Sequence, residues 1–167
     1  DSLSAVQVSN FINNAQQTDS VKLGVNLPAT ETEFGAAAQP LESPIQYFDS
    51  VGRAHTLTVR YSPLPPAAAG DPPTDTWYVE IFDSNSADPA LPIGAVEVVF
   101  DDTNRGQIET VTELDLSGAA PAGTPAAVAA GFNQTNLPTG YATTTYDAEA
   151  GTFRVLASDP DGTGPIN

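Results

Sequence analysis

The chain has 167 residues, and its 21 acidic against 5 basic side chains give it a net charge of -16. A chain of this length can bury a sizeable core without covalent cross-links, while so negative a surface repels nucleic-acid phosphates and anionic membranes. The lack of cysteine excludes disulfides and thiolate chemistry, and the single histidine excludes mechanisms that need two imidazoles. No apolar run approaches the length of a membrane span.

Apolar and β-branched residues alternate with polar ones along most of the chain, a pattern that predicts β-strands. In chain order the runs lie at residues 21–27, 45–48, 55–61, 77–81, 96–100, 108–116, 141–146 and 152–157. Turns rich in Asp and Gly are predicted at residues 49–52, 101–106 and 147–151. We therefore predict an all-β fold, an antiparallel β-sandwich or flattened β-barrel of about eight strands, each with one face in water.

Two stretches between these runs have the low-complexity composition of loops. Residues 62–75 are rich in proline, which lacks the N–H donor of a sheet ladder, so an exposed, semi-extended loop is predicted there. Residues 117–131 are rich in alanine, proline and glycine. Within them we predict one helical turn that is capped by Thr124, begun by Pro125 and closed by Gly131.

The single histidine is the main candidate for chemistry. His55 lies on the same face of its predicted strand as Leu57 and Val59, just after the Asp49–Gly52 turn. An imidazole in this position is typical of a residue that hydrogen-bonds a turn. Nucleophilic catalysis needs a context such as G-x-S-x-G, which the sequence lacks. We therefore predict a structural role for His55, no catalytic residue and no enzymatic activity.

Two acidic turns, at residues 101–106 and 159–162, are similar to fragments of calcium-binding loops. Neither has the glutamate that closes such a loop with two oxygen ligands, and Arg105 lies inside the first. Aspartate and asparagine also stabilise turns in the absence of metal. We therefore assign no metal site and no cofactor.

A longer motif is more specific. Residues 43–59 read SPIQYFDSVGRAHTLTV, which is a strand, an Asp-Ser-x-Gly turn and a His-x-Leu-x-Val strand. This stretch resembles the outer domain of the bacterial flagellar hook protein. The likeness continues through a lead-in at residues 19–29, a Trp-led strand at residues 77–79, and a strand and turn at residues 98–108. It covers the region from residue 19 to residue 116.

The resemblance implies a structural protein of the bacterial flagellum, located outside the cell in the flexible joint between motor and filament. Residues 1–40 would form a lead-in with a strand that joins the outer domain to the rest of the parent protein, and residues 41–167 the β domain of the hook's outer layer. The lack of methionine fits a middle fragment. The expected partners are other copies of the hook subunit. The isolated fragment is expected to be monomeric, because the terminal segments that build the tube in this family have no counterpart here.

Two other classes stay open on the sequence. A bacterial surface adhesin or carbohydrate-binding β-sandwich shares the acidic, all-β character, and a hydrolase of sandwich fold is a third alternative. A calcium titration with a thermal-shift readout separates the hook domain from many calcium-using binding modules, a glycan array tests for carbohydrate binding, and activity screens address the hydrolase.

Overall fold

The computed structural model describes residues 17–18, 20–49, 51–103, 106–132, 144–147 and 152–155. Within these ranges the fold is all-β, as the alternating pattern predicted: five strands form one antiparallel sheet in chain order, and two more form a hairpin. The elements are a 3-10 helix (Ala29–Thr32), β1 (Leu41–Phe48), β2 (Ala54–Pro63), β3 (Thr76–Asp83), β4 (Gly94–Asp101), β5 (Gln107–Glu113), the short helix α1 (Ala126–Ala129), β6 (Thr144–Asp147) and β7 (Thr152–Val155).

The strand predicted at residues 21–27 does not form a ladder in the structure. Thr18 exchanges hydrogen bonds with Phe48 at the outer edge of β1, both of 3.0 Å. The chain then leaves this edge, and Leu27 packs against the core on one face of the sheet. The apolar side chains between these points, among them Val21 and Val25, are more than 40 % exposed. A segment with alternating apolar and polar residues forms a β-strand only where it runs alongside another strand and exchanges backbone hydrogen bonds with it.

The described strands form an open sheet with a hairpin beside it, in place of a closed barrel or the two full sheets of a sandwich. In the hairpin β6 pairs with β7 in antiparallel fashion, which confirms the last predicted strand pair. Its connecting loop and the predicted acidic turn at residues 159–162 lie outside the described residues.

Two prolines lie inside strands, although proline cannot complete a ladder. Asp49 N–H donates to the Arg53 carbonyl and so points toward β2. Because backbone N–H groups alternate in direction along a strand, the nitrogen of Pro44, five positions earlier, points away from β2. β2 continues to Pro63, into the segment predicted as loop, and Leu64 N–H donates to the Thr76 carbonyl. The nitrogen of Pro63 therefore faces away from β3, on the side of β1 but beyond Leu41, the first residue of β1, which pairs with Tyr61. In both cases the missing donor is one that the sheet does not use.

The prediction that every strand has one wet face is wrong for β3. Trp77 is 2 % and Tyr78 is 1 % exposed, although neighbouring side chains in a strand point to opposite faces. One face carries the larger core cluster, which consists of Val59, Tyr61, Trp77, Ile81 and Ile93. On the other face Tyr78 clusters with Val128 and Phe132, from the segment that follows β5. The middle of the sheet is therefore covered on both sides.

A register shift gives β5 different faces from those that strict alternation along residues 108–116 predicts. Val99 lies opposite Thr110 and Phe100 lies opposite Ile108, so β5 holds one extra residue at this point. The shift places Ile108 on the same face as Val111, whereas strict alternation separates them. β5 ends at Glu113 rather than at residue 116.

The helical turn predicted after β5 is confirmed as α1, but its cap is different. Pro125 occupies the N-cap position, and the Thr124 hydroxyl instead donates to the Pro121 carbonyl at 2.8 Å. Gly131 N–H donates to the Val128 carbonyl at 2.9 Å. A Cβ on Gly131 would lie 2.8 Å from Pro92 Cγ, so this glycine permits a close approach to the β3–β4 loop.

Candidate functional site

The turn between β1 and β2 is built around Asp49. Gly52 N–H donates to the Asp49 carbonyl, and Asp49 N–H donates to the Arg53 carbonyl, both at 3.0 Å. The Asp49 carboxylate accepts the N–H groups of Val51 at 3.0 Å and Arg53 at 2.8 Å. Gly52 has φ of +82°, in the left-handed region that favours glycine. The predicted Asp–Gly turn is therefore confirmed.

His55 contacts this turn, as the sequence predicted. Its Nε2 atom lies 3.2 Å from Oδ2 of Asp49, and the two side chains are 13 % and 3 % exposed. Tyr47 lies directly opposite His55 in the ladder, and the centroids of the two rings are 5.3 Å apart. The imidazole is thus held between a carboxylate and an aromatic ring.

A second carboxylate, which the sequence did not indicate, joins this group. The buried Tyr47 hydroxyl donates to the buried carboxylate of Asp83, with distances of 2.9 and 3.0 Å to its two oxygens. Asn85 N–H donates to the same carboxylate at 2.9 Å. The contact depends on the β2–β3 register, which places Asp83 opposite Leu57. We call Tyr47, Asp49, His55 and Asp83 the hairpin cluster.

Hydrogen bonds decide the ionisation of Asp49. Burial alone raises the pKa of its carboxyl group, but the N–H groups of Arg53 and Val51 and the His55 imidazole outweigh that effect and hold the pKa below its ordinary value. Asp49 is therefore a stable carboxylate in the native protein, and it faces an imidazole that can carry positive charge.

The same region contains a second buried polar group, on the opposite face of the sheet. Glu80 is 0 % exposed, and its Oε2 accepts two nitrogens of Arg60, each at 2.8 Å. The Arg60 guanidinium also lies over the Phe82 ring, 4.5 Å from its centroid. Glu80 Oε1 and the Ser62 hydroxyl are buried and have no hydrogen-bond partner among the residues that the structure describes. Burial raises the pKa of Glu80 more than Arg60 lowers it.

The geometry of the hairpin cluster suits a structural link rather than nucleophilic chemistry. An Asp–His pair is two thirds of a catalytic triad, but within the described residues no serine or threonine hydroxyl is hydrogen-bonded to His55. The Tyr47 hydroxyl is buried and is used by Asp83. The side-chain contacts of the hairpin cluster connect β1, the turn, β2 and the end of β3.

The acidic turn after β4 satisfies its own carboxylate. Oδ1 of Asp101 accepts the N–H of Thr103 at 2.8 Å and its hydroxyl at 2.6 Å. Among the residues that the structure describes, no three His, Cys, Asp or Glu side chains converge as metal ligands do. The second candidate turn, at residues 159–162, lies outside them.

A cleft of about 370 Å³ opens where residues 38–40, 62–65 and 123–127 meet. Its walls are mainly proline and alanine, and no charged side chain lines it. The Ser62 hydroxyl belongs to this wall but is itself buried. The cleft therefore offers a mainly apolar surface, with no charged group among its described lining residues to orient a ligand.

Comparisons with protein-family models, with curated proteins and with solved structures find no match to this chain. In the part of the chain that the structure describes, no helix is both long and apolar enough to cross a membrane.

Proposed function

We propose that this chain is the outer β domain of a flagellar hook subunit, a structural part of the joint that links the motor to the filament. The observation that carries the proposal is the β1–β2 hairpin. The residues that resemble the hook motif contact one another there: Asp49 holds the turn, Gly52 supplies its left-handed φ, and His55 returns to Asp49. A motif whose members form one interacting unit is stronger support than the same letters scattered over a fold.

General properties of the chain are compatible with this proposal. A hook subunit crosses a narrow export channel unfolded, and a cysteine-free chain cannot form disulfides that would obstruct that step. A net charge of -16 suits a water-facing layer outside the cell. The exposed loop at residues 67–73 lies away from the core, so its length and sequence can vary without disturbing the sheet. The proposed role is structural and needs no catalysis.

The proposed partners are other copies of the hook subunit within the assembled joint. Contacts between outer domains that bend against one another must break and reform, which favours small, polar interfaces. Like charge on every copy also opposes self-association of the isolated domain. Light scattering after size exclusion should therefore report a monomer at micromolar concentration, and a stable dimer or ring would contradict this part of the proposal.

The location is tested directly with antibodies raised against the isolated domain. Immunogold labelling of hook–basal bodies purified from the source bacterium should decorate the hook and leave the filament unlabelled. Serum absorbed with the purified domain serves as the control. Label spread over the cell surface, without decoration of hooks, would overturn the proposal in favour of an adhesin.

Deletion of the coding segment from its parent gene separates the same two functions. The hook proposal expects a motility defect with altered hook form or assembly and unchanged attachment to surfaces. An adhesin instead predicts normal swimming with loss of attachment, and a carbohydrate-binding module predicts specific signals on a glycan array.

A further inference from the structure

His55 is the only histidine of the chain, and imidazole is the side chain whose charge ordinarily changes between about pH 5 and 8. It lies in the hairpin cluster at 13 % exposure, so its charge is only partly screened by solvent. Its Nε2 contacts the carboxylate that organises the β1–β2 turn. A change of charge on this one ring therefore acts on the group that holds the turn.

The charged and titratable groups around the ring come from each element that contacts it. The turn contributes the Asp49 carboxylate, and β1 contributes the Tyr47 ring, whose centroid lies 5.3 Å from that of the imidazole with the two planes tilted by 33°. β3 contributes the Asp83 carboxylate, reached through the Tyr47 hydroxyl. Arg53 is exposed and enters the turn through its backbone groups. The groups that face His55 are thus anionic or neutral.

We propose that the tip of the β1–β2 hairpin, described at residues 48–49 and 51–54, is a pH-sensitive element in which protonated His55 binds Asp49 firmly and neutral His55 binds it more weakly. Protonated, both ring nitrogens are donors, and the contact with Asp49 is a charge-assisted hydrogen bond between two largely buried groups. Neutral, the ring can donate at most one hydrogen bond to the carboxylate and carries no positive charge, so Asp49 loses its only side-chain counter-charge among the contacts described here.

A weaker contact between neutral His55 and Asp49 loosens the hydrogen bonds that Asp49 makes in the turn. The N–H groups of Val51 and Arg53 donate to the Asp49 carboxylate, and Gly52 N–H donates to the Asp49 carbonyl. Phe48, next to the turn, holds Thr18 at the outer edge of β1. Weaker clamping of Asp49 therefore increases the opening of the turn first and of the Thr18 contact second. The proposal does not depend on the role in the hook.

Amide exchange measured by NMR on the whole chain tests the proposal. Between about pH 5.5 and about pH 8.5, the protection factors of Val51, Gly52 and Arg53, corrected for intrinsic exchange, should fall roughly three- to tenfold. The midpoint of this fall should coincide with the titration of the single imidazole Cε1–H resonance. Amides of β3 beside Arg60 and Glu80 serve as an internal control and should not follow that midpoint.

His55→Gln is the matched variant, because its side-chain amide can reach Asp49 but carries no charge that changes with pH. Its protection factors should be equal at the two pH values and close to those of the parent at the higher one. Constant protection in the parent, an equal fall in His55→Gln, or a fall whose midpoint differs from that of the imidazole would each overturn the proposal. If His55→Gln fails to fold, the coincidence of midpoints in the parent still decides it.

Discussion

Asp49 and Glu80 are both buried carboxylates beside a basic side chain, yet their pKa values move in opposite directions. Asp49 lies in the hairpin cluster, and its pKa is lowered because backbone N–H groups and His55 outweigh burial. Glu80 lies on the other face of the sheet, and its pKa is raised because burial outweighs Arg60. The permanent charge is beside Glu80, so an opposite charge alone does not decide the outcome.

Part of the difference is the deeper burial of Glu80, and part is the number of carboxylate oxygens that accept hydrogen bonds. Asp49 receives two N–H groups on Oδ1 and the imidazole on Oδ2. Glu80 accepts hydrogen bonds from two nitrogens of one guanidinium on Oε2, and from no described residue on Oε1. Burying an ionised carboxylate requires little free energy when both oxygens accept hydrogen bonds. It requires more when one oxygen accepts none. The comparison therefore predicts that the two sites respond differently to substitution.

The largest effect is expected at Arg60. Arg60→Met removes both donors from a fully buried carboxylate and should lower the free energy of unfolding by about 3 kcal/mol, as measured by urea denaturation. The double variant Arg60→Met/Glu80→Leu removes the stranded charge as well and should lie within about 1 kcal/mol of the parent. A double variant as unstable as the single one would show that the pair itself stabilises the fold.

A somewhat smaller effect is expected in the hairpin cluster. Tyr47→Phe keeps the ring against His55 but removes the hydroxyl that donates to Asp83. Loss of a hydrogen bond to a buried carboxylate should cost about 1.5–3 kcal/mol in the free energy of unfolding. Tyr61→Phe is the matched control, since Tyr61 is a buried tyrosine of the neighbouring strand with no hydroxyl hydrogen bond among those described. Equal losses in the two variants would refute a special role for the Tyr47–Asp83 contact.

The two carboxylates should also have opposite effects on stability in acid. Because the pKa of Asp49 is lower in the folded than in the unfolded protein, its contribution is present above the unfolded value of 3.8 and is lost as the pH falls through the folded value. The pKa of Glu80 in the folded protein is raised above the unfolded value of 4.5. Its contribution to stability is therefore present below pH 4.5 and is lost as the pH rises through the folded pKa.

Unfolding curves collected across this range separate the two. Asp49→Asn should lose less stability than the parent as the pH falls below about 4. The parent should lose free energy of unfolding through Glu80 as the pH rises above about 4.5, and Glu80→Gln should not show this loss. Parallel pH profiles for the parent and both variants would contradict the opposite shifts.

The smallest effect is expected at Ser62, whose buried hydroxyl has no hydrogen-bond partner in the described part of the chain. Ser62→Ala removes a polar group that gains nothing from burial, so the free energy of unfolding should stay unchanged or rise by up to about 1 kcal/mol. Thr76→Val is the contrasting control, because the Thr76 hydroxyl donates to the Thr74 carbonyl at 2.8 Å. A clear loss of stability in Ser62→Ala would mean that its hydroxyl has a partner after all.

The sequence predicted what depends on local pattern and missed what depends on register. The all-β class follows from alternation, and the Asp49 turn and its contact with His55 follow from residues only six positions apart. The contact between Tyr47 and Asp83 spans 36 positions and exists only because β2 pairs with β3 in one register. No pattern within either strand specifies that register.

Two wrong predictions have the same origin. The run at residues 21–27 alternates like a strand, but pairing needs an edge that the segment follows, and the chain follows β1 only near Phe48. In β5 the register shift after Val99 breaks the alternation that the sequence suggests. Arg60 and Glu80 were missed as well, since only the sheet shows that they are directly opposite.

Pro44 has a consequence for a crowded assembly. Its backbone nitrogen points away from β2, toward the outer edge of the sheet. The backbone N–H groups of Glu42 and Gln46, two positions before and after it, point the same way. A strand from another molecule that approached this edge would find no N–H at the middle of three successive positions, and a carboxylate beside the gap. Edge-to-edge growth of the sheet, the usual route from high local concentration to aggregation, is therefore interrupted here by one residue that leaves the internal ladder intact.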